Sequence, residues 1–221
     1  MTAGASVAAA SLPRMYGELA HLWPLFSAPA DYAGEARIWR QVLRDRLGPG
    51  RHEILELGVG GGNNLSHLTE DFAATAVDLS AAMLAQCRRL NPGVPVHQGD
   101  MRSVRLGRRF RAVLIHDAVS YLLDEDDLRR TLATAVAHLE PGGVLVMAPD
   151  DYRETFRGPR ITHGTNTDGQ TEVTSFEYHY DPDPADSTTT CIMVYVIRSG
   201  AAVEVVEDRH VLGLFPDAAR A

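Results

Sequence analysis

A glycine-rich turn between an apolar strand and a helix is the part of this sequence with the clearest chemistry. Residues 54–64 read Ile-Leu-Glu-Leu-Gly-Val-Gly-Gly-Gly-Asn-Asn, and Asp78 ends the next apolar run. Gly58, Gly60 and Gly62 predict bare backbone that a nucleotide-like ligand can touch. Asp78 then falls where the ribose hydroxyls of that ligand would lie. The unit therefore predicts a site for a nucleotide-like cofactor.

The charge beside the turn helps to distinguish between cofactors. Glu56 stands two residues before the first glycine, and Asn63 occupies the place of the third glycine or alanine in a dinucleotide fingerprint. A carboxylate would repel a pyrophosphate and attract an ammonium or a sulfonium. Glu56 is therefore predicted to hold a cationic part of the cofactor. The alternative is that it caps the turn by binding backbone amides.

Several ordered segments resemble the class I S-adenosylmethionine-dependent methyltransferases, in particular the small-molecule type that includes sugar N-methyltransferases of antibiotic pathways. The similar segments are Glu56–Gly62, Ala76–Ser80 with Met83 and Leu84, Gln98–Met101, Arg111–His116 and Leu139–Gly143. The resemblance covers roughly residues 50–150. Its order and spacing are more specific than any one segment.

The resemblance implies S-adenosyl-L-methionine as the cofactor. It implies that Asp78 binds both ribose hydroxyls and that Asp100 reads the adenine edge. Leu79 and Met101 would be adenine walls, with core packing as the alternative, and Tyr16 would be a lid contact. The residues assigned to cofactor binding are Glu56, Gly58, Gly60, Gly62, Asp78, Leu79, Asp100, Met101, Tyr16 and Asp117.

Methyl transfer from a sulfonium requires little of side chains, because the methyl group is already electrophilic. The protein must hold a nucleophile in line, about 3 Å from the methyl carbon, and exclude water. His116 ends the fourth strand near the switch point where such sheets bind ligands. It is predicted as a general base, with a pocket-lining or a structural histidine as alternatives. Asp117, Ser120 and Tyr121 are further candidates beside it.

Composition narrows the function classes. The 221 residues fit one domain with a small appended subdomain, and the net charge of −8 opposes binding to nucleic acid. No apolar run is long enough for a membrane span, so no membrane partner is predicted. Cys87 and Cys191 lie far apart, which predicts no disulfide framework and a cytoplasmic protein. His163, His179 and His210 lack ligand spacing, so no metal is predicted.

Arginine accounts for all 21 basic residues. The absence of lysine excludes a phosphate-binding loop lysine, a kinase lysine and a Schiff-base mechanism. The bias toward arginine is attributed to coding, but the exclusions hold either way.

Strands alternate with helices between residues 51 and 150, which predicts an α/β fold with a doubly wound, mostly parallel sheet. The predicted strands are Glu53–Leu57, Ala74–Asp78, Val94–Gln98, Arg111–His116 and Val144–Ala148. The predicted helices are Asp31–Leu47, Asn63–Asp71, Ala81–Leu90 and Glu125–Leu139. The apolar runs at 114–115 and 145–147 are typical of strands that are buried on both faces.

The pattern changes after the fifth strand. Residues 151–170 are predicted to be irregular, and Glu172–Tyr180, Thr188–Arg198 and Ala202–Leu212 form an antiparallel meander. Between residues 165 and 210 the chain has nine acids and two arginines. If the meander roofs the acceptor pocket, its charge favours an amine acceptor. A solvated acidic surface is the alternative, and the meander could also build a homodimer face.

The predicted organisation has four parts. They are a disordered leader at 1–14, a helical cap at 15–50, a cofactor-binding core at 51–150 and an antiparallel β subdomain at 151–221. Relatives have a seven-stranded sheet that ends in a helix and a hairpin. Here either the meander replaces that hairpin or the reading frame ends early, and the sequence favours the second. An early end would leave a sheet edge uncovered.

The sequence thus predicts methyl transfer from S-adenosylmethionine to an N or O nucleophile of a small molecule by in-line displacement. A first alternative is an NAD(P)-dependent oxidoreductase, which shares the first βαβ unit but is opposed by the glycine spacing and by Glu56. A second alternative is a truncated cofactor-binding protein without turnover.

Overall fold

Two sheets organise the chain, one of five parallel strands and one of four antiparallel strands. The computed structural model describes residues 12–217, so most of the predicted leader and residues 218–221 lie outside the described part. The strands are β1 Glu53–Leu57, β2 Ala73–Asp78, β3 Val96–Gln98, β4 Phe110–His116, β5 Leu139–Ala148, β6 Arg160–Thr167, β7 Thr171–Tyr180, β8 Thr188–Ser199 and β9 Ala202–Gly213. The α-helices are α1 Trp23–Phe26, α2 Ala33–Leu47, α3 Asn63–Ser66, α4 Ala81–Leu90 and α5 Glu125–Ala137.

The parallel sheet has the strand order β3-β2-β1-β4-β5, so β2 and β3 lie on one side of β1 and β4 and β5 on the other, with a switch point between β1 and β4. Alternate residues of β1 enter different cores. Ile54 packs in the cluster that contains Leu43 of α2, and Leu55 packs in the cluster that contains Ala135 of α5. Helices therefore cover both faces, which confirms the predicted doubly wound fold. Ligands bind at such a switch point, outside the carboxyl ends of the strands.

Capping side chains position the helices that follow the strands. Ser80 accepts a hydrogen bond from the Met83 amide at the start of α4. Asp124 accepts one from the Asp127 amide at the start of α5. Gly48 ends α2 with φ 76°, a conformation that favours glycine.

The predicted helix Asn63–Asp71 is wrong in length, because α3 ends at Ser66. The Ser66 hydroxyl donates to the Asn63 carbonyl, and the Thr69 hydroxyl donates to the Ser66 carbonyl. Side chains of this kind compete with the backbone for the carbonyls of a helix. The segment continues as turns, in which Leu68 and Phe72 are fully buried.

Strand β5 differs from its neighbour β4 in burial. Leu114 and Ile115 of β4 are fully buried, as predicted, whereas the apolar residues 145–147 of β5 are only half-buried. The reason is position, because β5 lies at the edge of the sheet and no further strand joins it within residues 12–217. The predicted strand Val144–Ala148 extends back to Leu139 through a bulge, where pairing passes from Leu139 to Val144.

The antiparallel sheet has the order β6-β7-β8-β9, which confirms the predicted meander and adds one strand. β6 falls within the segment 151–170 that was predicted to be irregular. Seven of its eight residues are exposed, so it has no pattern of apolar burial for sequence analysis to detect. Backbone pairing with β7 along its whole length forms this strand.

The N-terminal segment covers one face of the antiparallel sheet. In the first part of the predicted helical cap the chain forms α1 and the 3₁₀ helices Arg14–Tyr16, Ala20–Leu22 and Pro29–Tyr32. Met15 and Leu19 pack with Tyr195 and Val206 of the sheet. The same segment also contacts the parallel-sheet side, because the Ser80 and Gln86 side chains donate to the Tyr16 and Ala20 carbonyls. A search of the described residues for a helix of membrane-spanning length and hydropathy finds none.

Candidate active site

The glycine turn lies at the switch point, and protein packing already requires two of its glycines. Gly58 has φ 75°, and a Cβ atom there would lie 2.2 Å from the Ala118 Cβ atom. Gly62 has φ 78°, and a Cβ atom there would lie 2.5 Å from Asn91 Nδ2. Both glycines are thus needed to bring neighbouring segments close. Their predicted contact with a cofactor stays a prediction.

Asp78 closes the turn from the end of β2. Its carboxylate accepts the amide of Gly60 and the amide of Ser80, each at 2.8 Å. Burial raises the pKa of Asp78, and these backbone bonds partly oppose that shift. Each carboxylate oxygen keeps a lone pair, so the group can still accept ribose hydroxyls.

Glu56 is a buried carboxyl group at the glycine turn. The residue is 2% exposed, and its Oε2 atom has no partner among the described residues. Burial raises its pKa to about 8, and the charges of Asp117 and Asp78 add to the shift. The alternative in which Glu56 caps the turn finds no supporting amide here. A buried carboxyl of this kind keeps its proton near neutral pH, and a bound cation would stabilise its charged form.

Two other side chains near the turn also keep buried polar atoms without a partner. They are the Trp23 indole nitrogen and the Asn64 side-chain amide. The Trp23 indole nitrogen lies 2.3 Å from where a Cβ atom of Gly61 would be, so the ring lies directly on the glycine backbone. S-adenosylmethionine carries ammonium, carboxylate and hydroxyl groups. The residues present therefore fit this cofactor.

Asp100, in the predicted adenine-binding segment Gln98–Met101, forms an ion pair with Arg102. Asp100 accepts bonds from the Arg102 guanidinium at 2.6–3.0 Å, and this contact lowers the pKa of Asp100. An adenine contact by Asp100, which stays a prediction, would share the carboxylate with Arg102. Met101 is half-buried against the core, and Leu79 is 45% exposed, so the two predicted adenine walls differ in environment.

Carboxylates face both ring nitrogens of His116. Nε2 lies 2.8 Å from Glu35 Oε1, out of line for a hydrogen bond, and Nδ1 lies 3.4 Å from Asp117 Oδ2. The ring contacts Trp39 edge-on. A general base needs a nitrogen that faces the acceptor, so this geometry favours the pocket-lining alternative, and catalysis by His116 stays a prediction.

Ligand atoms of Glu35, His116 and Asp117 also lie within 4.8 Å of one another, a spacing that a metal ion could use. The absence of a metal remains a prediction. Asp117 itself has the unusual φ of 36°, and burial raises its pKa.

A chain of hydrogen bonds links the N-terminal segment to the antiparallel sheet. The Tyr16 and Tyr121 hydroxyls are 2.8 Å apart, and the Tyr121 hydroxyl is 2.6 Å from His210 Nδ1. His210 Nε2 lies 3.2 Å from Asp208 Oδ2. Tyr16 and Tyr121 were candidates from the sequence, whereas His210 and Asp208 were missed. We call Tyr16, Tyr121, His210 and Asp208 the tyrosine–histidine chain.

The missed residues had signals in the sequence. Asp208 and His210 occupy every second position of β9, as do the buried Val206 and Leu212. All four side chains therefore point to the covered face. Asp150 follows β5 as Asp117 follows β4, at the carboxyl edge of the sheet. The Asp150 residue reaches solvent, yet the protein around its carboxyl group raises its pKa by desolvation.

Most acids of the antiparallel sheet face solvent. Turn residues such as Asp183 and outward residues such as Glu204 are exposed, whereas Asp208 is 4% exposed. The predicted solvated surface therefore accounts for most of the negative charge. A single buried carboxylate, that of Asp208, brings this charge to the covered face.

The chain resembles characterised methyltransferases in sequence. Residues 54–143 match the profile of the family described as "Methyltransferase domain". A protein of Streptomyces venezuelae named dTDP-3-amino-3,4,6-trideoxy-alpha-D-glucopyranose N,N-dimethyltransferase is 34% identical over 191 residues, which cover 85% of this chain and 79% of that protein.

Solved structures resemble it in fold. The sugar N-methyltransferase KedS8 from a Streptoalloteichus species has a TM-score of 0.80 and 29% identity, over 98% of this chain and 85% of that chain. CalS10, an amino pentose methyltransferase of Micromonospora echinaspora with bound S-adenosylmethionine, has a TM-score of 0.72 and 27% identity, over 84% and 78% of the two chains.

Proposed function

The chain belongs to the class I S-adenosylmethionine-dependent methyltransferases, and on this premise we propose that it methylates the amino nitrogen of a nucleotide-linked amino sugar. S-adenosylmethionine is its cofactor, and its acceptor is a small molecule. The dTDP-amino sugar in the name of the Streptomyces venezuelae relative supports the choice of acceptor.

The surplus of carboxyl groups in the site is the observation that carries the proposal. Burial raises the pKa of each of four acids around the glycine turn and the ends of β4 and β5. These acids are Glu56, Asp78, Asp117 and Asp150. Glu56 is the fully buried one, whereas Asp150 reaches solvent, and a nearby cation stabilises the charged form of each such desolvated acid. S-adenosylmethionine and the amine of the acceptor would both place positive charge beside these acids, whereas a nicotinamide dinucleotide would place its pyrophosphate at the glycine turn, beside Glu56.

The chain's own residues would have separate tasks. When bound, S-adenosylmethionine supplies the electrophilic methyl group. Glu56 would hold the cofactor's ammonium, and Asp78 would hold its ribose. On the acceptor side, Asp150 would attract the amine, and the Tyr16 hydroxyl would contact it. Holding the amine in line with the methyl group gives most of the acceleration, because the reactants no longer need to meet by diffusion.

A direct assay tests this function. The full chain is incubated with S-adenosylmethionine and a dTDP-linked 3-amino-deoxysugar, and mass spectrometry counts the added methyl groups. We expect one or two methyl groups on the amine and none on the matched sugar with a hydroxyl in its place. Methylation of the hydroxyl sugar would contradict the amine assignment. Binding of S-adenosylhomocysteine without any product across the panel would support the alternative without turnover.

We also infer that the outer face of the antiparallel sheet pairs two copies of the chain. This face exposes apolar side chains in register across its strands, and both charge signs are present, as in Glu207 and Arg209, so a second copy can offer opposite charges. The most exposed apolar residues are Ile161, Phe176, Tyr178, Val203 and Val205. Light scattering after size exclusion should give a dimer, and Val205→Lys should give a monomer of unchanged melting temperature. A wild-type monomer would contradict the inference.

A reducing cytoplasm remains the proposed compartment. Cys87 and Cys191 are both buried and unpaired, and free buried cysteines are typical of proteins in reducing surroundings. Cell fractionation with a tagged chain would test this, and secretion into the medium would contradict it.

A further inference from the structure

The tyrosine–histidine chain crosses from the acceptor side of the site to a buried carboxylate. Its inner end is well shielded, because His210 is 1% exposed and Asp208 is 4% exposed. At the outer end, Tyr16 is half-buried and lies near the charges of Asp78 and Asp150. We propose that His210, acting through Tyr121, orients the Tyr16 hydroxyl so that its oxygen takes a proton from the amine of the sugar substrate. This inference rests on the proposed N-methyl transfer.

The hydrogen-bond partners of Asp208 determine which group donates and which accepts along the whole tyrosine–histidine chain. Asp208 accepts the amides of Arg14 and Met15 at 3.0 and 2.8 Å, so it acts as an acceptor. His210 Nε2 must then donate to Asp208, and in the neutral imidazole this leaves Nδ1 as an acceptor.

The direction carries through to the outer end. Because His210 Nδ1 accepts, the Tyr121 hydroxyl donates to it at 2.6 Å. The Tyr121 oxygen can therefore only accept from Tyr16, at 2.8 Å. With its single proton committed to Tyr121, the Tyr16 hydroxyl offers lone pairs to an incoming N–H group. It therefore favours an amine with a proton to give.

The surroundings keep each member in the required protonation state. Burial lowers the pKa of His210, although Asp208 opposes this shift, so the imidazole is neutral near pH 7. Burial raises the pKa of Tyr16 and of Tyr121, so both keep their protons and act as relays. The other charged group facing His210 is Glu177 of β7, which also opposes the lowering. Cys191, its partner in register on β8, has a pKa raised to about 11 by burial and stays neutral.

The proton transfer balances without another reactant. An aliphatic amine has a pKa of about 8 to 10 and enters as an ammonium ion, which has no lone pair for attack. The ammonium gives its proton to the Tyr16 oxygen, Tyr16 gives its own to Tyr121, and Tyr121 gives its own to His210 Nδ1. The resulting imidazolium lies beside the Asp208 carboxylate. The same path would remove the proton that the nitrogen carries after a first methylation, before a second one.

His210 touches neither reactant, so it is a positioning residue, and pH supplies the readout that separates this role from a structural one. We would measure kcat/KM with the dTDP-amino sugar from pH 6.5 to 9.5 for wild type, His210→Asn and Tyr121→Phe. Both variants should lose about tenfold at pH 7, within the range of acid–base catalysis. The loss should shrink to about twofold at pH 9.5, because solvent then deprotonates the amine.

Two buried residues outside the chain provide matched controls. Tyr195→Phe changes a buried tyrosine of the same sheet, whose hydroxyl contacts Met193 Sδ. His138→Asn changes a buried histidine that accepts the Leu106 amide, far from the site. Both should lose less than about twofold at every pH. A loss in His210→Asn that is equal at all pH values would reduce His210 to a structural role and overturn the proposal.

A second measurement does not depend on turnover. Nitrogen-15 NMR of the full chain with S-adenosylhomocysteine should show His210, assigned by comparison with His210→Asn, protonated at Nε2 and bare at Nδ1 at pH 7. The opposite tautomer, or an imidazolium, would overturn the proposed direction. If the wild type methylates no amine yet shows the expected tautomer, the acceptor assignment fails and the directed chain stands.

Discussion

The glycine turn and the tyrosine–histidine chain lie on two sides of one site and are built in opposite ways. The turn and its acids come from residues 56–78, a short continuous stretch. The tyrosine–histidine chain joins segments as distant as Arg14 and Asp208, which are 194 positions apart. The turn leaves buried polar atoms without partners, whereas the side-chain groups of the tyrosine–histidine chain bond to one another. Buried polar groups without partners can bind a ligand. A continuous series of hydrogen bonds can instead transfer a proton in one direction.

The largest effect should follow from Gly58→Ala, which breaks the turn. A Cβ atom would lie 2.2 Å from the Ala118 Cβ atom, and φ would remain at 75°. We expect the free energy of unfolding to fall by about 3 kcal/mol and cofactor binding to be lost, because overpacking adds to the cost of a left-handed alanine. Thermal melting and calorimetry with S-adenosylhomocysteine measure both.

Gly200→Ala is the matched control for that variant. Gly200 has φ 62°, but nothing lies within 4 Å of its Cβ position, so only the backbone cost of about 1 kcal/mol should remain. Equal losses in the two variants would contradict the importance of the contact with Ala118.

Glu56→Gln should remove a pH dependence of cofactor binding. The pKa of Glu56 is about 8 without cofactor, so wild-type affinity should rise as pH increases toward 8 and the carboxylate forms. The variant should bind about thirtyfold more weakly near pH 8.5, about 2 kcal/mol, with a flat profile. Calorimetry between pH 6 and 8.5 checks this, and a variant with the wild-type slope would contradict the role of Glu56.

The same variant should change stability with the opposite sign. In the folded chain Glu56 keeps its proton up to about pH 8, whereas in the unfolded chain it releases it near 4.5. The free energy of unfolding of the wild type without cofactor therefore falls as pH rises between these values. Glu56→Gln should lack this slope and melt above the wild type near pH 8.5.

Asp78→Ala should weaken binding of S-adenosylhomocysteine at least tenfold, about 1.4 kcal/mol. The residue loses two amide bonds to its own turn as well as the predicted ribose contact. Calorimetry supplies the constant, with Asp168→Ala, an acid in an exposed hairpin turn, as control. An unchanged constant would remove the ribose assignment.

Asp208→Asn should give the smallest effect and should separate the two sides of the site. One carboxylate oxygen becomes an NH2 group that cannot accept, so at least one donor loses its partner and we expect a loss of about 1 kcal/mol in unfolding free energy. Exchange of the Arg14 and Met15 amides should accelerate, because they donate to Asp208. Cofactor affinity should stay constant. A large loss of affinity would show that the two sides are coupled.

The fold of the cofactor side could be predicted because its signals are local. Apolar runs at 54–57 and 74–77, a glycine turn and a capping Ser80 together dictate a strand, a corner and a helix. Predictions failed where local pattern and tertiary position diverge. β6 has no apolar face, and the half-burial of β5 depends on its place at the sheet edge.

The sequence by itself determined the parallel sheet, the glycine turn and the positions of Glu56 and Asp78 beside that turn. Each of these follows from spacing within a few tens of residues. Tertiary structure alone decided that Tyr16, Tyr121 and His210 meet, and that Glu35 faces His116. The physical reason is that side-chain hydrogen bonds act over about 3 Å. Packing of the antiparallel sheet against the N-terminal segment brings Tyr16 and His210 together, and packing of α2 against the parallel sheet brings Glu35 to His116.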